Sequence, residues 1–450
     1  MLNLNSRLAN LEQNGAPIKV AFIGAGRFST MMMAQIARMK GVRVALIADL
    51  SRGRVDEAIL RSDLDGRPKV YTDSLESADQ AMASGRLVVT QDAMLAVRSS
   101  VDVVVEATGL VEPGVLHAYN AIVSGKHVVM VNVEADVLVG PYLKNLADQM
   151  GVVYSLAYGD QPALIKELYD WATGLGFQVV AAGKGTKYSP NLRKSTPDTV
   201  WTLYGHTEDE VLRGDLNPKM YNSFLDGTKS AIEMVAVSNM TGLVPDVPGM
   251  HFPPVSIPDI PSVLCPKIDG GILSQTGIVE AISSTSYDGN PIAEGLRWGV
   301  YVVVASDSEY LRNAMAEYGI AMGGDGKYGL MYRPYHFVGM EASISIVSAA
   351  IMGEPTGAPL GHQISEVVTT AKRPLYRGEL VDGEGGYTVY GLAHTAIDAS
   401  NRGLLPIGLS GGAKLIRQVP EDALITYDDV DLPSESFALK IRRLQDSSFL

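Results

Sequence analysis

Gly24-Ala-Gly-Arg-Phe-Ser29 ends a short apolar run, Ile18 to Ile23, and opens a Met-rich stretch of helical period. A second apolar run from Val42 ends on Asp49. Two glycines at that spacing permit a tight turn and a close approach of backbone to a pyrophosphate, while the free N–H groups of the next helix face the anion. Gly24, Gly26, Arg27, Phe28 and Ser29 are therefore the expected phosphate contacts, with Ser29 in place of the third small residue. Asp49 is placed to hydrogen-bond an NAD ribose, and Arg52 and Arg54 just beyond it to neutralise the 2′-phosphate of NADP. The chemistry served is hydride transfer. The competing reading is an ordinary strand-to-helix turn.

Other residues suit other steps. Thr108-Gly109 closes the β-branched run from Val101, where a parallel strand presents a turn to a cofactor. Lys184 to Thr196 carries Lys184, Lys187, Arg193 and Lys194 among several hydroxyls, either an anion grip or a solvated connector. Lys229 and Glu233 share one helix face with Asp226 a turn earlier, either a working cluster or a surface pair. Asp160 follows a strand end, where it could ligate a divalent cation, hold a substrate hydroxyl, or cap the next helix. Tyr332-Arg-Pro-Tyr-His336 sets an anion binder beside a histidine that more often serves structure. Cys265 has no base near it in sequence.

The elements that must hold these groups follow from pattern. Apolar runs alternate with helical periods through the first 150 or so residues, which predicts a doubly wound sheet; an insertion at about 53–90 adds a helix, a strand, a helix and a strand. A strand at 177–183 leads into the basic loop, and one long helix is expected at 217–239, with Pro218 in its first turn. Seven prolines between Pro245 and Pro266 exclude helix and central strand there. An apolar helix at 337–352, rich in small residues, is awkward on a monomer surface and predicts a homodimer face. From about Thr356 short runs with Gly turns predict a small β-rich module. The reading is α/β: a doubly wound Rossmann domain at 1–160, an α+β catalytic and dimerisation domain at 161–355, and a β-rich module at 356–450.

Composition narrows the partners. The chain of 450 residues has one cysteine and a net charge of -13, and 46% of it is hydrophobic. That excludes an internal disulfide or cysteine-rich metal site, fits a reducing cytosol, and argues against nucleic acid or anionic membrane as partner. Met1 to Gln13 has no apolar h-region, so no secretory signal is expected. An anionic substrate would need a local basic pocket.

Two segments carry a resemblance. Glu106-Ala-Thr-Gly109 followed by Val131-Asn-Val-Glu-Ala-Asp136 resembles the cofactor and active-site loops of homoserine dehydrogenases and of 1-deoxy-D-xylulose 5-phosphate reductoisomerases. Phe224-Leu-Asp-Gly-Thr-Lys-Ser-Ala-Ile-Glu233 is similar to the helix that supplies catalytic Asp and Lys in the former and Lys with a metal-binding Glu in the latter, although Lys229 and Glu233 stand four apart rather than three. The tail, with Arg377-Gly-Glu379, resembles the SAF module of sugar-acid enzymes. The whole chain thus resembles the reductoisomerase-like enzymes of isoprenoid synthesis. That resemblance implies NADP(H), contacts from Thr108, Gly109 and Asn132, Mg or Mn at Asp160 and Glu233, catalysis by Lys229, Asp226, Glu233 and Asp160, a phosphorylated keto sugar held by the basic loop, and inhibition by fosmidomycin. A homoserine dehydrogenase-like oxidoreductase acting on a small hydroxy or amino acid is the alternative. A nucleotide-sensing regulator that keeps the fold is a third reading.

Overall fold

The computed structural model describes residues 3–207, 209–211 and 216–448, and the chain divides into two compact units. The first comprises 1–163, 337–361 and 440–450. Seven parallel strands, β1 (Ile18–Ile23), β2 (Val42–Ala48), β3 (Lys69–Tyr71), β4 (Leu87–Thr90), β5 (Val103–Glu106), β6 (His127–Met130) and β7 (Tyr154–Leu156), lie in the order β3-β4-β2-β1-β5-β6-β7. The central strands are buried along most of their length, as apolar, largely β-branched runs covered on both faces should be. Order reverses at β1, so the turn after β1 opens at the topological switch point, where an open sheet binds its ligands. The expected insertion is real: β3, the helix Leu75–Ala83 and β4 extend the sheet beyond β2.

Met32 and Met33 are wholly buried on the helix Arg27–Ile36, so the methionine run is core packing. Against the same core sits the segment expected to form a dimer face. It is a short helix, Ser343–Val347, running into a π turn, Ser348–Met352, and Ala342, Ile346 and Val347 are buried with Met32, Met33 and Ile36. The side bearing Ala342, Ile346 and Val347 is covered within the chain, while Phe337, Met340 and Met352 stay exposed, so the homodimer face remains an expectation.

The second unit comprises 164–336 and 362–439. Its six-stranded mixed sheet runs β12-β13-β11-β8-β10-β9, with β8 (Gln178–Thr186) parallel to β10 (Ile278–Ser283) and antiparallel to β11 (Val300–Ala305). β9 (Val244–Pro245) edges β10, while β12 (Met322–Gly323) and β13 (Tyr328–Arg333) form the other margin. The expected single helix at 217–239 is two, Pro218–Leu225 and Thr228–Thr241. Gly227 breaks it with φ of 89°, a left-handed conformation that cannot continue an α-helix.

Every residue of Thr228–Thr241 except Lys229 is buried. Its buried polar side chains must therefore find partners inside the unit. The helix packs on β8 and β10 and also on the antiparallel pair β14 (Ser365–Ala371) and β15 (Val389–Thr395). Polar side chains fix that second face: Asn239 Oδ1 accepts from Ile364 and Ser365 N–H at 2.9 and 3.0 Å, and Thr228 Oγ1 accepts from Gly391 N–H at 2.8 Å. The strands of the β-rich tail thus group with the second unit, while 356–361 and 440–450 group with the first. No helix among the described residues is long and apolar enough to cross a membrane.

Candidate functional sites

In the first unit the glycine turn has the geometry its spacing predicts. Gly24 has φ of 97°, and a Cβ there would lie 2.7 Å from the Ala107 carbonyl oxygen, so no other residue fits. A Cβ at Gly26 would meet nothing within 4 Å. The fold itself therefore does not require glycine at Gly26; open space at the mouth of the turn is what a close-approaching pyrophosphate needs. Arg27 is exposed and Phe28 half-buried in the first helical turn. Ser29 is fully buried, so its part is close packing rather than ligand contact.

Asp49 braces this turn. Its carboxylate accepts from Ala25 N–H and Ser51 N–H, both at 2.8 Å, which uses about two of its four acceptor positions. Ser51 caps the helix Arg52–Arg61, whose exposed first turn carries Arg52 and Arg54. The Arg52 guanidinium lies 5.7 Å over the ring of Tyr71, the last residue of β3.

After β5, Thr108 Oγ1 donates to Glu106 Oε1 at 2.6 Å and Gly109 turns with φ of 68°. Asn132 is buried. Its Oδ1 accepts from Ala135 N–H to cap the helix Val133–Met150, and its Nδ2 donates to Leu110 O at 2.8 Å. The expected cofactor contact is thus corrected: the Asn132 side chain positions the Thr108-Gly109 loop from beneath. Reading by spacing missed Glu106, fully buried with His117 Nδ1 at 3.4 Å, because an acid inside an apolar run gives no periodic signal. Asp160 Oδ1 accepts from the adjacent Gln161 N–H at 2.9 Å at the start of the helix Gln161–Gly174.

In the second unit the expected cluster separates. Glu233 and Lys184 form an ion pair with both side chains 3% exposed. Lys184 is therefore not part of a phosphate-gripping loop: β8 runs on through Thr186 and points this side chain at the buried helix. Glu233 is likewise closed to a metal, since its carboxylate is held by an ammonium. Among the described residues no group of three or more His, Cys, Asp or Glu converges to hold an ion. The residues present do not fit the expected Mg or Mn at Asp160 and Glu233.

Asp226 also turns inward, 2.8 Å from Lys372 Nζ, and its Oδ1 accepts from Thr228 N–H at 2.9 Å. Lys372 donates as well to Ser195 O and Gly386 O, each at 2.8 Å. Asp226 thus positions the head of the helix on which Lys229 stands. Lys229, half-buried, is the one member of the predicted trio that reaches toward solvent.

The basic loop divides too. Lys194 is neutralised by Glu421 and Asp422. Arg193 Nε donates to Tyr188 OH at 3.1 Å, with its guanidinium 5.5 Å over Tyr390. Lys187 Nζ donates to Leu203 O at 3.1 Å and lies 5.8 Å over Tyr204. His336 is tied to Trp298 O at 2.5 Å, and burial pushes the Cys265 thiol up, away from reactivity.

The proline-rich segment holds a further group. His251 Nδ1 is 2.8 Å from Glu280 and Nε2 is 3.5 Å from Asp246, and Met250 and Phe252 on either side have φ of 64° and 50°. The Glu280 hydrogen bond raises the imidazole above its usual range.

Comparison with known proteins bears on the middle of the chain. Residues 159–342, less than half of the chain, match the family described as oxidoreductase DRL, catalytic domain. No curated protein sequence matches. Among solved structures, a provisionally assigned oxidoreductase from Klebsiella pneumoniae is 14% identical, with a TM-score of 0.35 over 76% of this chain and 87% of its own. The scyllo-inositol dehydrogenase of Lactobacillus casei, solved with NAD(H) and scyllo-inositol, is 12% identical, with a TM-score of 0.34 over 64% and 73%. The DOX-P reductoisomerase solved with magnesium is 16% identical, with a TM-score of 0.32 over 48% and 56%. At such scores neither substrate nor metal carries over to this chain.

Proposed function

We propose that the chain is an NADP(H)-dependent dehydrogenase or reductase of a small hydroxylated, anionic substrate. The observation that carries this reading is the Gly24 turn at the switch point, braced by Asp49 and followed by the exposed pair Arg52 and Arg54, in a chain whose residues 159–342 match an oxidoreductase catalytic domain. The cofactor would rest on Gly24 to Phe28, with Arg52 and Arg54 taking the 2′-phosphate, and it supplies the hydride. Lys229, the one half-buried residue of an otherwise buried helix, is the proton carrier for the substrate oxygen, and Asp226 with Lys372 holds that helix head in place.

Two variants test it. Arg52→Ala should weaken NADPH binding by roughly tenfold and leave NADH unchanged, the scale of one lost charged hydrogen bond. Lys229→Ala should lower kcat by ~10²-fold with NADPH affinity near wild type. Tighter binding of NADH than NADPH in the unaltered chain would remove the cofactor assignment.

The narrower reading, conversion of 1-deoxy-D-xylulose 5-phosphate to 2-C-methyl-D-erythritol 4-phosphate, is supported by the resemblance at Phe224 to Glu233. It has against it the Lys184 ion pair, which takes the carboxylate that a metal would need. NADPH oxidation with that sugar phosphate beside aspartate semialdehyde separates the two.

A further inference from the structure

A cavity of about 310 Å³ opens in the second unit, lined by Lys187, Ser284, Thr285, Ile292, Gly295 and Arg297 among others. It lies at the carboxyl ends of two neighbouring parallel strands, since Thr186 ends β8 one residue before Lys187 and Ser283 ends β10 one residue before Ser284. Sheets with parallel neighbours gather ligands at such ends. The volume is at the small end of ligand sites, about 300–1,000 Å³.

Charge decides what the cavity suits. Lys187 spends one of three N–H donors on Leu203 O. Arg297 is exposed, with its guanidinium 4.7 Å from the Trp298 ring, and among the described residues no acid pairs with it or with Lys187. Burial first, and Arg297 second, push the Lys187 ammonium down. Two cations thus repel across a partly desolvated space, in a chain whose net charge is -13, with no carboxylate between them. That arrangement costs free energy which an entering anion returns.

The hydroxyls do not compete for this role. Ser284 Oγ donates to Thr186 O and Thr285 Oγ1 to Tyr188 O, both at 3.0 Å. Recognition therefore falls to the ammonium and the guanidinium fork, which together match a tetrahedral dianion. The other basic side chains first expected to grip phosphate are differently engaged, Lys184 by Glu233, Lys194 by Glu421 and Asp422, and Arg193 by Tyr188.

We infer that Lys187 and Arg297 form a phosphate site, filled by the phosphoryl group of a small phosphomonoester or by free phosphate. The site stands apart from the redox assignment, because binding can be read without turnover. Isothermal titration of the full chain, free of nucleotide, with inorganic phosphate, with glycerol 3-phosphate and with glycerol supplies the test. Saturable binding of a phosphorylated ligand but not of glycerol is expected, weakened about tenfold or more by Lys187→Gln and by Arg297→Gln and unchanged by Lys194→Gln. Tighter binding of glycerol 3-phosphate than of phosphate assigns the site to a phosphorylated substrate, and the reverse order to free phosphate. Absence of saturable binding at millimolar phosphate and glycerol 3-phosphate, or binding indifferent to both variants with their thermal transitions intact, overturns the inference.

Discussion

Asp136 gives the chain a pH dependence that is separate from catalysis. It is fully buried, accepts from Tyr154 OH at 2.8 Å, and is pushed by burial up to about 7. The unfolded carboxyl loses its proton near ~4, whereas the folded one keeps it to about 7, so the native state binds more protons across that window. Stability should therefore fall as pH rises from ~4 to about 7 and level off above, by an amount of order 4 kcal/mol at most. Asp136→Asn keeps a carbonyl acceptor for Tyr154 and should flatten this slope in urea titrations at pH 5 and 8; an unaltered slope would assign it to other groups. Single residues were legible in the sequence where the backbone decided their role, and illegible where a distant partner did. Gly24, Thr108 and Gly109 stand in the turns their spacing predicts. Glu233 lies on the predicted helix, but its partner Lys184 is 49 residues earlier on a strand, so nothing local announces that the carboxylate is taken.

At the scale of elements, the alternating strands and helices were legible almost to their ends, because parallel strands buried on both faces leave long apolar runs. The break at Gly227 was not, since glycine inside a helical pattern is often tolerated. Here its φ of 89° redirects the chain from Pro218–Leu225 into Thr228–Thr241, and a Cβ would press 3.2 Å from the Tyr188 ring. Gly227→Ala should thus cost ~1–2 kcal/mol for the left-handed conformation alone, with more from the tyrosine contact. Denaturant titration should show a lower midpoint with an unchanged slope, and because Lys229 stands two residues on, kcat should fall further than the loss of folded protein explains. Equal midpoints for variant and parent would mean that the junction relaxes without strain.

At the scale of the molecule, alternation along the chain cannot show that the first unit is assembled from three separate segments. Residues 337–361 return to it, and so do 440–450. The returning segments complete the core and close polar gaps. Ala342, Ile346 and Val347 are buried against the helix Arg27–Ile36 and its neighbours. Ser345 Oγ accepts from Tyr158 N–H at 2.8 Å, Leu156 N–H donates to Gly357 O at 2.7 Å, and Gln445 binds both Leu138 O and Tyr142 N–H, at 3.1 and 3.0 Å. Ile346 and Val347, with the smaller Ala342, are together worth roughly 4–7 kcal/mol, comparable to the whole stability of a marginal domain in the ~5–15 kcal/mol range. A fragment ending at residue 163 would expose that surface beside unpaired backbone groups on β7 and after it. It should therefore aggregate, or melt without a cooperative transition, and fail to bind NADPH, although it contains the entire glycine turn. Supplying a peptide of residues 337–361 in trans should restore part of the transition in calorimetry. Cooperative melting of the bare fragment with NADPH affinity equal to that of the full chain would show instead that the returning segments decorate a domain already complete without them.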